Sequence, residues 1–500
     1  MKNSPFASIC NELAAEFDTA DITRDINRTQ ELLEKAKNIL NDNDTPEYAP
    51  LFYSVGTSTT ILRDDLLRKS TAENPYTDDE IIKTHSQALW YFRHAEELLN
   101  QIEVNKENYP YVTGIRMILY VNLGNALDFC GRKCSAMGYY SKATELHPFG
   151  MALGNIGNTL EHYASLEGDE GHCAVLFRTA YKYYLEAERA NDSYTYEEAK
   201  RGFSERRKAM ESHFGKENLK AQSELIPVEM ESEMEVSYRK WCLANHLFLN
   251  TLNDLPELNE AFMQDILQIT SITTAIEQEN PPFVFEMFNQ IKEEYIYARY
   301  LLYEVVNPSG KVHFADKETH LEDTLNYSSY SIRIEKLKTA YRTLYSIFDR
   351  IAFLLNAYLE LGIVEQKVNF DSIWSRLKEK EAKNIALSAL HWIDRDFKEK
   401  FGNAGAPHTK KIKMLRNALE HKFVSVHMFS TENEVKIGKD YIYRISEENL
   451  IECTMDLLQL IREAVIELTI AIRIEEKQRN PSEKKVLQMS MMEYLDEFKI

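Results

Sequence analysis

Helical periodicity runs through this chain almost from end to end, and it leaves few other ways to bury the apolar residues. Stretches such as RDINRTQELLEKAKNIL from Arg24 and IIKTHSQALWYFRHAEELLNQI from Ile81 place apolar side chains at i, i+3, i+4 and i+7. Breaks fall at Pro46, Pro75, Pro110, Pro148, Pro281 and Pro282, where a missing N–H ends a helix. Only 17 Gly and 13 Pro in 500 residues argue against a turn-rich β architecture. The expected fold class is therefore all-α. The length predicts two to four domains with ample core.

Spacing between Tyr120 and Pro148 is more specific. Tyr120, Leu123, Gly124, Leu127, Ala136, Tyr140, Ala143 and Pro148 sit at the offsets of one tetratricopeptide-like helical hairpin. Small residues at Gly124, Ala136 and Ala143 let two helices approach while Leu and Tyr fill the groove. A weaker copy runs through Leu153, Ile156, Gly157 and Leu160 and resumes at Ala180, Tyr184 and Ala187, with an insertion around SLEGDEGH. Two copies make no solenoid, so neighbouring helices from residue 25 to about 215 are expected to complete the stack. The glycines of GMALGNIGN belong to this repeat rather than to a phosphate-binding loop, since no strand precedes them and no Lys follows at the required place. Tyr139, Tyr140, Tyr181, Tyr183 and Tyr184 read as core and groove lining.

The expected organisation is a repeat domain over 1–215, a connector packing on both halves over 216–282, a helical bundle over 283–479 and a tail over 480–500. A leading helix covers about 284–305. Four main helices follow at about 329–361, 382–400, 407–422 and 446–476. VSVHMF and DYIYRIS, flanking the charged ENEVKIGK, suit a small β-hairpin insertion.

Charge and cysteine content narrow the function classes. With 59 Lys+Arg against 79 Asp+Glu the net charge is −20. A protein that coats nucleic acid or membrane with its whole surface is thus disfavoured, while a local basic site stays open. Six Cys without a CxxC pair do not make a disulfide framework, and Cys130 and Cys134 read as buried thiols. The N-terminus has no basic start followed by an apolar core. The apolar run from Leu450 to Ile472 is interrupted by Glu452, Asp456, Arg462, Glu463 and Glu467, which disqualifies it as a membrane span. The expectation is a cytoplasmic chain with no membrane partner.

One helix reverses the local sign. In HTKKIKMLRNALEHKF, His408, Lys410, Lys411, Lys413 and Lys422 surround Arg416, Asn417 and His421, against the single acid Glu420. An Arg followed four to six residues later by a His is weak evidence alone, since Arg206 and Arg207 also precede His213 in that window. The bland reading is an ordinary Arg416–Glu420 ion pair, a His favoured by the helix C-terminus, and lysines on a solvated face.

A helical bundle with Arg-Asn-x-x-x-His in a late helix resembles the HEPN superfamily. YRKWCLANHLFLNTLNDL from Tyr238, EKLKTAYRTLYSIFDRIAFLLNAYLELG from Glu335 and ALSALHWIDRDF from Ala386 resemble a bacterial HEPN family with helical repeats in front of the bundle, over roughly 235–475. The resemblance implies an all-α fold ending in a HEPN four-helix bundle and a metal-independent endoribonuclease without cofactor. Arg416 and His421 would be catalytic, Asn417 and Asp349 supporting, and Lys410, Lys411, Lys413 and Lys422 RNA-binding, with no metal ligands. It also implies RNA as partner, a homodimer through the bundle, and a protein or ligand trigger on the repeats. The function would then be that of a regulated toxin or antiviral-defence effector. Residues five apart on a helix lie about 140° around and about 7.5 Å along the axis. One Arg–His pair is thus an awkward cleft, and two facing motifs in a dimer would resolve it. Asp349, with Asn356 seven residues on, either supports the groove or pairs with Arg342 or Arg350. His391 reads as packing, and His421 with His427 makes a poor zinc site. The alternative is a non-catalytic interaction protein that binds RNA, nucleotide or a partner.

Overall fold

The computed structural model describes residues 4–70, 78–192, 194–269, 271–275, 283–308, 310–323, 325–398, 407–428, 441–479, 486–490, 494 and 496–499. It divides into two compact units, Met1–Glu224 with Lys378–Pro407, and Leu225–Leu377 with His408–Ile500. The first unit opens with α1 (Ser8–Ile22), α2 (Ile26–Asn41), α3 (Ala49–Lys69), α4 (Asp79–Asn100), α5 (Tyr109–Phe129), α6 (Lys133–Leu146), α7 (Gly150–Leu166), α8 (Glu170–Arg189), α9 (Glu197–Phe214) and α10 (Lys216–Lys220). The second begins with α11 (Glu233–Ala244), β1 (Ser271–Ala275), α12 (Val284–Val306) and α13 (Ile332–Tyr358). The chain returns to the first unit for α14 (Lys378–Glu381) and α15 (Ile385–Asp396). It ends in the second with α16 (Pro407–His421), β2 (Phe423–His427), β3 (Ile442–Ser446), α17 (Glu447–Gln478) and β4 (Val486–Ser490). The fold is all-α with helical repeats in its N-terminal part, as the periodicity requires.

The repeats are built on glycine–ring contacts. A methyl on Gly124 of α5 would lie 2.5 Å from the Tyr140 ring of α6, and one on Gly157 of α7 would lie 2.7 Å from Tyr184 of α8. With hydrogen there, each ring lies on the facing helix. Its hydroxyl then donates to the next residue, Tyr140 to Asn125 Oδ1 at 3.0 Å and Tyr184 to Asn158 Oδ1 at 2.9 Å. A third copy is α3–α4, where Gly56 meets the Phe92 ring in the same way. Its longer spacing hides it in the sequence. The insertion in the α7–α8 copy is absorbed as helix rather than loop. α7 runs nine residues past Gly157 where α5 runs five past Gly124, and α8 begins fourteen before Tyr184 where α6 begins seven before Tyr140.

α15 corrects the expected bundle, in which residues 382–400 supply the second main helix. Asp396, 5% exposed, accepts two bonds from Arg93 of α4, each 2.8 Å, and a third from Arg132 at 2.6 Å. Trp392 meets the buried His85 edge-on, and the Ile385 carbonyl lies over Gly131 at a φ of +84°. These partners anchor α15 in the first unit. Residues 399 and 400, the expected end of this helix, lie outside the described residues.

In the second unit the segment after α11, read as a connector, is fixed by two buried arginines. Arg299 of α12 grips Asp265 with two bonds of 2.8 and 2.6 Å. Arg462 of α17 donates to Asp254 at 2.6 Å and to the Phe248 and Asn250 carbonyls. Burial raises the Asp265 carboxyl, but Arg299 overrides it and leaves the group below the usual carboxylate range. α12, α13 and α17 pack together, and α16 joins them through α13, so the expected leading helix takes the place assigned to α15. The expected hairpin is also corrected. β2 and β3 run parallel in the register Phe423↔Ile442 to His427↔Ser446. Parallel pairing needs a connection of about a dozen residues, and the charged turn proposed at 432–439 lies outside the described residues. β4, in what was read as a tail, pairs antiparallel with β1. No described helix is long and apolar enough to cross a membrane.

Candidate functional site

α16 is amphipathic, and its two faces do different things. Thr409, Ile412, Leu415, Ala418 and Leu419 are buried at helical spacing. Lys410, Lys411, Lys413, Asn417, Glu420 and His421 are exposed, with Arg416 half-buried between the faces and Lys422 exposed just beyond. The His408 side chain lies outside the described residues. The bonds of α13 to this helix come from one stretch. Tyr341 Oη donates to the Ile412 carbonyl at 2.6 Å, and Arg342 donates to the Leu419 carbonyl at 2.9 Å. Burial pushes the Tyr341 phenol well above its ordinary range, which keeps it a donor. A guanidinium on one of the last carbonyls also suits the negative end of the helix.

Arg416 stands over the Tyr345 ring at 5.4 Å and donates to Asn417 Oδ1 at 3.2 Å. The ring and the amide fix the guanidinium beside the exposed face. Asn417 and His421, four apart, share that face, and His421 is the last residue of α16. The structure thus joins Arg416 with Asn417 and carries His421 about a turn further on. The Arg416–Glu420 pair of the bland reading is not among the ion pairs of the described residues.

The other candidates are placed elsewhere. Asp349, one turn past Tyr345 on α13, accepts the Phe370 N–H at 3.0 Å, so it holds the chain after α13 instead of bonding to Arg416 or His421 among the described contacts. The pairings offered for it do not form either, since Arg342 serves α16 and Arg350 meets Glu294 at 3.4 Å. Asn356 bonds both ways with Ile363, closing the turn after α13. His391 lies in the first unit, 2.8 Å from Glu381, and burial depresses its imidazole. His427 is buried, bonded to the Asn326 carbonyl at 2.8 Å and to Ser425 Oγ at 3.2 Å. The decoy arginines are engaged in the first unit, Arg206 with Glu161 at 3.1 Å and Arg207 with Glu188 at 2.7 Å. Among the described residues no cluster of His, Cys, Asp or Glu could hold a metal ion.

Sequence reasoning missed Tyr341, Arg342 and Tyr345. Their signal is a YRxxY run at helical spacing, with nothing local to say which helix it would meet.

Residues 275–475 match the family described as LA2681-like HEPN. The C-terminal part of the chain therefore carries a HEPN domain, a class associated in general with nuclease and RNA-related functions. The matched span includes the Lys378–Pro407 segment that folds into the first unit. No curated protein and no solved structure matches the chain.

Proposed function

We propose that this protein is a metal-independent endoribonuclease, held in check or triggered through its repeat unit, of the toxin or antiviral-defence kind, acting in the cytoplasm. The observation that carries this reading is the exposed face of α16. It offers a fixed guanidinium, an amide and an imidazole among lysines, in a chain whose net charge is −20.

The chemistry follows from these groups. The imidazole takes the proton from a ribose 2′-hydroxyl, or gives one to the leaving 5′-oxygen. The 2′-oxygen forms a bond to phosphorus as the bond to the 5′-oxygen breaks, leaving a 2′,3′-cyclic phosphate and a 5′-hydroxyl. Arg416 stabilises the charge that builds on the phosphoryl oxygens. Lys410, Lys411, Lys413 and Lys422 hold the RNA backbone. Two copies of α16 facing across a groove in a homodimer supply both proton transfers, because one helix sets its Arg and His far apart around its axis.

The repeats offer a place for a trigger. Asn122 and Asn125 on α5 and Asn155 and Asn158 on α7 are half-buried polar groups on the first helices of successive hairpins, and Asn155 donates to Asn125 at 2.7 Å.

The test is incubation of the purified protein and His421→Ala with total RNA in excess EDTA, with fragment ends mapped. Cyclic-phosphate ends from the wild type alone are expected. Equal cleavage by both proteins removes His421 from the mechanism. RNA bound but uncut by both favours the non-catalytic interaction protein.

A further inference from the structure

The end of the β2–β3 pair beside His421 is apolar and open. Phe423 is 77% exposed and its register partner Ile442 50%. Tyr441, whose carbonyl accepts the Phe423 N–H at 2.9 Å, is 68% exposed. An occupant that buried each of these two rings would gain about 1.5–3 kcal/mol.

Phe423 follows His421 and Lys422 directly, at the end of a helix face carrying Lys410, Lys411 and Lys413. Lysine is depleted from protein–protein interface cores. Aromatic faces beside a cationic track are what a single-stranded nucleic acid uses, with bases on the rings and phosphates on the cations. A duplex keeps its bases stacked inside and cannot use the rings.

We propose that Phe423 and Tyr441 form a stacking platform for the unpaired bases of single-stranded RNA, next to the groups that act on its backbone. The inference rests on the RNA reading of α16 and adds to it a substrate class, unpaired over paired RNA. Because a ring stacks on any base whatever the sugar, single-stranded DNA binds there too, although it lacks the hydroxyl needed for cleavage.

The experiment measures binding of a fluorescent 2′-fluoro oligouridine, which cannot cyclise, to the full-length protein by anisotropy. Phe423→Ala and Tyr441→Ala are each expected to weaken binding about 5- to 150-fold, from about 1–3 kcal/mol per stacked base. Phe423→Trp retains affinity, duplex RNA competes poorly, and single-stranded DNA competes well. Sedimentation and melting of the variants match wild type. Unchanged affinity in folded Phe423→Ala, or preference for duplex, overturns the platform while leaving cleavage intact. Dissociation of a dimer by Phe423→Ala with RNA binding unchanged shows that a second copy occupies the patch and also overturns it. If the wild type neither binds nor cleaves any RNA, the RNA reading fails and takes the platform with it.

Discussion

α15 and α16 are successive helices, both amphipathic and both charged, yet they use charge in opposite ways. On α15, Asp394 and Asp396 are buried, with Asp396 held by two arginines and Arg395 lying over the Trp392 ring. On α16 the lysines, Asn417 and His421 face solvent. A buried charge is tolerated only with its partners in place, so the charges of α15 fix where that helix sits. α16 is held instead through its backbone, by Tyr341 and Arg342 of α13.

The contrast can be broken at its strongest point first. His421→Ala should lower RNA cleavage by about 10²–10⁴-fold, the usual worth of a general acid or base, with the melting temperature unchanged. A variant that melts early would put His421 among the structural groups, alongside those of α15. Asp396→Ala should do the reverse. Leaving Arg93 and Arg132 buried without their carboxylate costs about 3–5 kcal/mol, read as a lower denaturant midpoint. A midpoint equal to wild type would show that this network is not what anchors α15.

Acid should sharpen the difference. His85 and His391 are held below the ordinary imidazole range, chiefly by burial. Below about pH 6.5 the unfolded chain therefore binds more protons than the folded unit. Stability from these groups is full above that pH and is lost as pH falls through the depressed folded values. Corrected hydrogen-exchange protection of α15 should drop between about pH 7 and 5 while that of α16 changes less. Equal loss in both helices would contradict the assignment. The smallest effect is expected at Tyr345→Ala, where losing the ring under Arg416 should cost about 0.5–1 kcal/mol, a two- to fivefold fall in cleavage. Tyr345→Phe keeps the ring and should keep the rate. No difference between the two would mean that the ring does not position Arg416.

Much of this was legible in the residues. The glycines of the repeat hairpins stand out because Gly124 and Gly157 each keep company with an apolar pattern at fixed offsets, and the structure gives both a tyrosine ring to accommodate. The copy at Gly56 escaped because its partner Phe92 lies farther along the chain and carries no hydroxyl to repeat the Asn contact. The basic face of α16 was legible for a similar reason, since i, i+3 and i+4 periodicity separates Ile412, Leu415 and Leu419 from the lysines without any tertiary information. Asp349 was left with two readings because a polar residue in an apolar helix says that it needs a partner and not which one. Its partner is the backbone of Phe370, twenty-one residues on.

The sequence alone determined the helices, the repeat contacts and the amphipathic site helix, because each depends on residues within a few turns of one another. It also determined that the C-terminal part is a HEPN domain, through motifs contained in single segments. Tertiary structure alone decided that α15 leaves the bundle, since Asp396 finds Arg93 and Arg132 across 303 and 264 residues. It also decided that β2 and β3 run parallel and that Tyr341, Arg342 and Tyr345 hold α16. Alternation and periodicity say which face of an element is apolar. Which distant element covers that face is settled only when buried charges and backbone groups have all found partners.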